Sequence, residues 1–321
     1  MLLALGFSYG WSVSNPVASS ARGQDATSHQ TYALITPARD EEQNLRRLAA
    51  SLLAQTVPPA AWVVVDDAST DNTAELVERL AVAHDWISLV SSSAGDGELV
   101  EGRLSGRDVA AFNAGLAALP STPDIVLKLD ADVSLLPDFF EILLDEFARD
   151  PRLGIAGGAC FELEDGGWRE RWVTGDHVRG ATRAYRWDCL CDVQPLEPRL
   201  GWDGIDEVRA ALLGWHTRSI RSLPFFHHRR MGQRDGLRRS FHDQGATAHY
   251  MGYRPSYLVA RAVFRMRRTP AAVAMIDGYL RAALSREPVL ADAAVRAHIR
   301  QKQRLRELPR RAAEARGSRS A

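Results

Sequence analysis

Three stretches of this sequence end an apolar run in a cluster of polar and acidic residues. Thr36-Pro37-Ala38-Arg39-Asp40-Glu41 follows Tyr32 to Ile35, Asp66-Asp67-Ala68-Ser69-Thr70-Asp71 follows Trp62 to Val65, and Asp130-Ala131-Asp132 follows Ile125 to Leu129. In Asp-Ala-Asp the alternation of an extended chain sends both carboxylates to one side. That geometry suits a hard divalent cation bound together with substrate phosphates. There is no Gly-x-x-x-x-Gly-Lys loop, and no Gly-x-Gly-x-x-Gly after the first apolar run. A P-loop ATPase and an ordinary dinucleotide dehydrogenase are therefore excluded. An acidic rather than glycine-rich site implies that a metal, not backbone N–H groups, neutralises a diphosphate.

The elements that must position these groups alternate between strand and helix periods. Strands are predicted at Tyr32–Ile35, Trp62–Val65, Ile87–Val90 and Ile125–Leu129. A helix is predicted from Glu42 to Gln55, with Leu45, Leu48, Ala49, Leu52 and Leu53 on one side. Further helices are expected up to Leu80, capped by Ser69 and Asp71, and from Val109 to Leu119. Such alternation builds a doubly wound sheet, whose ligands bind beyond the carboxyl ends of the strands. All three acidic clusters fall there. In the second half, Leu153–Ala156, Ala181–Tyr185 and Thr217–Leu223 read as extended and Asp203–Leu213 as helical. Beyond about residue 231 the chain is Arg-rich and largely helical. Residues 1–31 show no sustained periodicity and are read as a flexible leader.

The 321 residues carry a net charge of zero, but the charge is split. Residues 221–321 hold 22 Lys and Arg against 7 Asp and Glu, a net of +15, and residues 1–220 carry −15. Carboxylate chemistry belongs to the acidic part, and the basic tail suggests an anionic neighbour such as phospholipid or phosphate. Three cysteines cannot make a disulfide framework, and Cys189-Leu190-Cys191 lacks zinc-site spacing, so a reducing compartment is expected. No apolar run is long enough to span a bilayer. No Lys or Arg precedes the short apolar stretch at residues 2–7, so no signal peptide is expected.

Together, Pro37-Ala38-Arg39-Asp40-Glu41, Val64-Val65-Asp66-Asp67-Ala68-Ser69-Thr70-Asp71, Asn113-Ala114-Gly115, Leu129-Asp130-Ala131-Asp132 and Gly201-Trp202-Asp203 resemble the motifs of a family 2 glycosyltransferase. The resemblance covers residues 32–230. It implies an α/β, GT-A (Rossmann-like) doubly wound mixed sheet flanked by helices, followed by a basic, mainly helical extension over 231–321. It also implies inverting transfer of a sugar from a nucleotide diphosphate donor with Mg²⁺ or Mn²⁺. Pro37, Arg39 and Glu41 match the motif that lines the donor nucleotide, and Asp67 the carboxylate that bonds its base. Asp130 matches the Asp near the donor sugar or ribose, and Asp132 the metal ligand. Asp40 stands where Asn is more usual and receives no contact. The family's base lies in a Glu-Asp pair, with Arg six and Gly eleven residues later. Asp203, Arg209 and Gly214 keep that spacing while Trp202 replaces the Glu. Asp203 is therefore the candidate base, with Asp206 and Glu207 one turn on as rivals.

Relatives in this family place a metal- or diphosphate-binding His near His227-His228. Adjacent residues on an extended chain point opposite ways, so one of the two is expected to ligate, and the reading takes His228. Arg229 and Arg230 are candidate diphosphate partners, and Trp168, Trp172, Trp187 and Trp202 candidate sugar-stacking residues. Gln233 is followed by Arg234-Asp235-Gly236-Leu237 rather than the Gln-x-x-Arg-Trp of processive members, so a single addition is expected. One base and one metal suffice for inversion, because a metal-bound nucleoside diphosphate is already a good leaving group. The partners expected are a nucleotide sugar donor, a glycan or lipid-linked acceptor and an anionic membrane surface, with no nucleic acid. The protein is placed in the cytoplasm, peripheral on the inner face of the membrane. The alternatives are a sugar-nucleotide-binding scaffold without chemistry and a sugar-nucleotide pyrophosphorylase. The latter would want a glycine-rich loop after the first strand.

Residues 258–268 form a basic amphipathic pattern. Arg261, Arg265 and Arg268 share one face, and Val259, Ala262, Val263 and Met266 share another. Either the apolar face meets a membrane, or it packs into the core and leaves a solvated arginine face.

Overall fold

The computed structural model describes residues 30–92, 106–164, 166–171, 177–229, 236–267 and 269–304. The expectations for residues 1–29, most of the Ser91–Arg107 connection, Trp172, Arg230, Gln233, Arg268 and the last arginines lie outside the described residues.

The strands are β1 (Tyr32–Ala38), β2 (Ala61–Asp66), β3 (Ile87–Ser91), β4 (Ile125–Leu129), β5 (Val133–Leu135), β6 (Leu153–Glu164), β7 (Gly167–Glu170), β8 (Thr182–Arg186) and β9 (His216–His227). The helices are α1 (Glu42–Leu53), α2 (Thr73–Ala83), α3 (Arg107–Ala117), α4 (Phe139–Arg149), α5 (Trp187–Val193), α6 (Trp202–Leu212), α7 (Leu237–Tyr250), α8 (Pro255–Met266), α9 (Ala274–Leu284) and α10 (Ala293–Lys302). One sheet runs in the order β3-β2-β1-β4-β8-β6-β9-β5, with β7 paired to β6. The four strands β3, β2, β1 and β4 are parallel, and β8 joins β4 antiparallel. The sheet is therefore mixed, as the resemblance implied.

Near-continuous apolar strands are what a sheet covered on both faces requires. Alternate residues separate cleanly. Leu34, Trp62, Val64 and Leu127 pack with α1, α2 and α4, whereas Ile35, Val63, Val65 and Val126 pack with α3 and α5. Leu45, Leu48, Ala49 and Leu52 of α1 are buried as expected. Leu53 is half exposed, because α1 ends there before another turn can carry it back to the sheet. Ser69 does not cap α2. Its hydroxyl accepts the Asp40 N–H at 3.0 Å, while Asp71 accepts the Thr73 N–H at 2.9 Å.

The C-terminal helices have a small core of their own, made of Phe241, Ala248, Leu258, Ala262, Ala272 and Met275. At Gly278 a Cβ would lie 2.0 Å from the His242 carbonyl oxygen, and at Gly245 2.1 Å from that of Met275. Backbone thus meets backbone between α7 and α9. Gly201, with φ +94°, precedes α6 and rests against Thr247 of α7. That contact joins the C-terminal helices to the element that carries Asp203. α10 packs on α6 through Ile205, Val295 and Ile299.

Candidate active site

The first two acidic loops clamp each other at the carboxyl ends of β1 and β2. Asp40 has φ +53°, a left-handed conformation that Asp and Asn tolerate better than most residues. Its Oδ1 accepts the Thr70 N–H at 2.7 Å and the Thr70 hydroxyl at 3.1 Å. The residue given no contact from the sequence thus fixes the turn between the two motifs. Pro37 lies in β1 opposite Val65, and Arg39 is exposed on the loop that follows. Asp67 is buried and held by Arg107 through two bonds of 2.7 Å, to Nε and Nη2.

The third acidic motif lies where β4 ends and β5 begins. Ligand atoms of Asp130, Asp132 and His227 all fall within 4.8 Å of one another. Two carboxylates and one imidazole form a donor set that suits Mn²⁺ or Mg²⁺. Lys128, buried beneath the motif, donates to Asp130 at 2.5 Å and approaches Asp108 at 3.8 Å. Burial raises the Asp130 pKa, and Lys128 opposes that rise. Burial also disfavours the charge on Asp132, but the His227 hydrogen bond and the Arg229 charge outweigh it and hold this carboxyl below the usual range. His227 Nε2 lies 3.1 Å from Asp132 Oδ1. Burial alone would lower the His227 pKa, yet contacts with Asp132 and Cys160 push it up to about 10. Arg229 bonds both oxygens of buried Glu41 at 2.6 Å and lies 3.3 Å from Asp132, so it bridges the first and third acidic motifs.

The histidine beside the aspartates is therefore His227, where the sequence reading took His228. His228 turns the other way. Its Nε2 is 2.8 Å from the Ser134 hydroxyl, and its ring meets Trp168 edge-on at 5.2 Å. Burial and Arg47 lower its pKa to about 4. The signal for the correct parity is present in Leu223, Phe225 and His227. The first two are buried, so the third follows them to the inner face.

From the opposite side, Gly201 presents α6 with Trp202 and Asp203 in its first turn. Trp202 donates through Nε1 to Asp108 at 3.0 Å. Its ring lies between Lys128 at 5.6 Å and the Arg183 guanidinium at 5.5 Å. The substitution for the family's Glu thus links the two halves of the site. Asp203 is partly exposed, with Oδ2 3.9 Å from His177 Nε2. The rivals are engaged elsewhere. Asp206 is buried on Arg183 at 2.6 and 3.0 Å and on the Tyr185 hydroxyl at 2.5 Å. Burial pushes its pKa up to about 6, against the pull of Arg183. Glu207 accepts from the Val178 N–H at 2.7 Å and lies 3.0 Å from His177 Nδ1. Arg183 and His177 hold Glu207 below the usual carboxylate range despite its burial. Sequence reasoning missed Lys128, Arg107, His177 and Arg183. A lone Lys inside an apolar strand, and an Arg inside the strand Thr182–Arg186, were the available signals, since buried charges must be paired.

Arg183 is fully buried and also donates to the carbonyls of Val178 and Asp203. Removing one partner of a buried ion pair costs about 3–5 kcal/mol. Arg183→Met should lower unfolding stability by that amount in a denaturant titration. Adding Asp206→Asn should recover part of the loss. A single variant as stable as the parent would show that the network carries no such coupling.

The fold agrees with comparisons to known proteins. Residues 33–190 match Glycosyl transferase family 2. No curated protein matches the sequence. Among solved structures, the chain is similar to the mannosyltransferase PcManGT from Pyrobaculum calidifontis, in complex with GDP-Man and Mn²⁺. The TM-score is 0.53 at 17% identity, covering 91% of this chain and 86% of that one. It is also similar to GalNAc-T7 with UDP, GalNAc and Mn²⁺, with TM-score 0.51 at 13% identity, covering 67% of this chain and 47% of that one. S. aureus TarS 1–349 in complex with UDP-GlcNAc gives TM-score 0.50 at 16% identity, covering 79% of this chain and 73% of that one. Within a GT-A fold, residues 33–190 form a glycosyl transferase family 2 domain.

Proposed function

We propose that this enzyme is an inverting, metal-dependent transferase that adds a single sugar. It would move the sugar from a nucleotide diphosphate donor to an acceptor hydroxyl, in cell-surface polysaccharide or glycolipid assembly. The carrying observation is the placement of the Asp130–Asp132–His227 cluster on one side and Asp203 on the other, joined by Lys128 and Trp202. The Mn²⁺ in the mannosyltransferase and in GalNAc-T7 supports a metal here too.

In this reading Pro37, Arg39, Glu41 and Asp67 line the nucleotide, and Asp130 faces the donor ribose or sugar. Asp132 and His227 would hold Mg²⁺ or Mn²⁺, with Asp130 beside them. When bound, the cation neutralises charge on the departing diphosphate. Arg229, anchored on Glu41, adds positive charge at the same edge. Asp203 removes the acceptor proton from the face opposite the diphosphate. It is the only carboxylate among Asp203, Asp206 and Glu207 that keeps its oxygens off Arg183, so it is the one left to act on substrate.

The protein is further proposed to sit on the inner face of a membrane. No helix among the described residues is long and apolar enough to cross one. In α8 the apolar stripe points outward: Leu258 and Ala262 are buried, but Val259, Val263 and Phe264 are 44, 51 and 58% exposed. Arg265 turns inward to Gln244 instead. α8 thus packs through Leu258 and Ala262 while Val259, Val263 and Phe264 stay on the surface. An apolar stripe within a segment carrying +15 fits an anionic bilayer.

Three outcomes test these readings. Asp203→Asn should lose about 10²–10⁴-fold in turnover while donor binding persists. Near-normal turnover would move the base elsewhere. Asp132→Asn keeps shape and loses charge, so calorimetric titration should show Mn²⁺-dependent donor binding lost in a folded protein. Unchanged Mn²⁺ and donor binding would reject the metal assignment. The full chain should co-sediment with phosphatidylglycerol vesicles, less so as salt rises, and Val263→Asp/Phe264→Asp should abolish it. Equal binding to neutral vesicles, or none to either, would reject the membrane reading.

A further inference from the structure

His177 lies between two carboxylates of α6. Its Nδ1 is 3.0 Å from Glu207 Oε2, and its Nε2 is 3.9 Å from Asp203 Oδ2. Asp203 and Glu207 are four residues apart on one helix, so they present to the same side. Glu207 is itself fixed, because its Oε1 accepts the Val178 N–H at 2.7 Å and Arg183 Nη1 at 3.1 Å. Gly180 lets the segment that carries His177 lie against α6. A Cβ there would stand 3.3 Å from the Trp202 ring.

The charge on Glu207 decides which ring nitrogen of His177 carries the hydrogen. Despite its burial, Arg183 and His177 hold Glu207 below the usual carboxylate range, so it is ionised and can only accept. Nδ1 is therefore the donor, and in the neutral ring Nε2 keeps its lone pair toward Asp203. The charged groups facing the ring are Glu207 and Asp203 from α6 and Arg183 from β8. Burial disfavours a charge on His177, but Glu207 and Asp203 outweigh it and raise its pKa, with Arg183 in opposition. The side chain is 35% exposed, which gives a proton held there a way out to water.

We propose that His177, oriented by Glu207, takes the acceptor proton on from Asp203 and so returns the base to its ionised form. This rests on Asp203 as the base. In the step, the O–H bond of protonated Asp203 breaks and an Nε2–H bond forms. Asp203 regains its charge, the imidazolium lies between two carboxylates, and the proton then leaves to water. Imidazole holds a proton more tightly than a carboxylate does, so the transfer runs downhill. Catalytic hydrogen bonds are often long until substrate binds, and one water can carry a proton across such a gap. The ring must start each turnover neutral, so activity is lost as pH falls through the His177 pKa.

The experiment uses the full chain with Mn²⁺ and a panel of UDP- and GDP-sugars, with water as the acceptor. Release of nucleoside diphosphate is followed against pH in the parent, His177→Gln and Asp203→Asn. In the parent, turnover should fall on the acid side with a midpoint above the ordinary imidazole value. In His177→Gln the plateau should drop about tenfold, and the midpoint should move about two pH units toward acid, into the carboxylate range. A merely structural role would lower the plateau and leave the midpoint in place. If His177→Gln does not fold, His177→Asn is read in the same way. A second arm needs no substrate: ¹⁵N-histidine NMR, with the His177 signals assigned by their loss in the variant. The neutral ring should be the Nδ1–H tautomer, and Asp203→Asn should lower its pKa because a neighbouring negative charge is removed. An acid midpoint unmoved in a folded His177 variant, with Asp203→Asn inactive, overturns the relay and leaves the base in place. Near-normal turnover of Asp203→Asn rejects the base itself. If no sugar on the panel turns over, the NMR arm decides. An Nε2–H tautomer, or a His177 pKa indifferent to Asp203→Asn, overturns the proposal.

Discussion

One fully buried guanidinium holds the two sides of the active site together. Arg183 stands on β8, which is hydrogen-bonded to β4, the strand that ends in Asp130. From there it binds Asp206, Glu207 and the Asp203 carbonyl of α6, together with the Val178 carbonyl of the preceding segment. A charge without access to water must have partners with good geometry, or it destabilises the fold. That requirement fixes the first turn of α6 relative to the sheet. Through the same constraint, Trp202 is seated between Arg183 and Lys128, and the Asp203 carboxylate faces outward. Asp206 and Glu207 serve as the anchor so that Asp203 does not have to.

The side that carries the three acidic motifs repeats this logic with exchanged signs. Four carboxylates, Glu41, Asp67, Asp130 and Asp132, lie at or just beyond the carboxyl ends of β1, β2 and β4, and each is matched by a cation: Arg229 for Glu41 and Asp132, Arg107 for Asp67 and Lys128 for Asp130. None of these cations lies in the acidic motifs themselves. The carboxylates follow apolar strands locally, while their partners come from β4, α3 and the end of β9. Apart from the Lys128–Asp130 pair, two residues apart in sequence, the alternation of charge along the site is a tertiary product.

This explains what could be read in the sequence and what could not. The parallel strands, the α1 stripe Leu45–Leu48–Ala49–Leu52 and the three strand-end acidic motifs are local patterns, and the period of the chain exposes them. Asp203 was singled out by its spacing to Arg209 and Gly214. Residues that act through distant contacts were not. Lys128 read as an interruption in a strand, and Arg183 as one of many arginines. Asp40 was set aside because its function is a backbone conformation. For α8 the sequence supplied the two faces but not which of them met the protein. That depended on Gln244 and Phe241 of α7 capturing Arg265.

Which of the two adjacent histidines faces Asp132 is set by a local irregularity. Between Gly158 and Ala159, β6 advances one residue, while its partner β9 advances from Ile220 to Pro224. Before the break an even-numbered residue, Ile220, is buried. After it the odd-numbered Leu223 and Phe225 are buried. The extra chain between Ile220 and Pro224 works as a phase switch, because side-chain direction along a strand has only two settings. The length of the irregular stretch inside β9 thus sets which of the two histidines faces Asp132. A family that shortens or lengthens this segment by one residue would exchange an imidazole for its neighbour without altering either histidine. In such a family, conservation of the bulge would track the imidazole beside the aspartates more faithfully than conservation of the His-His pair.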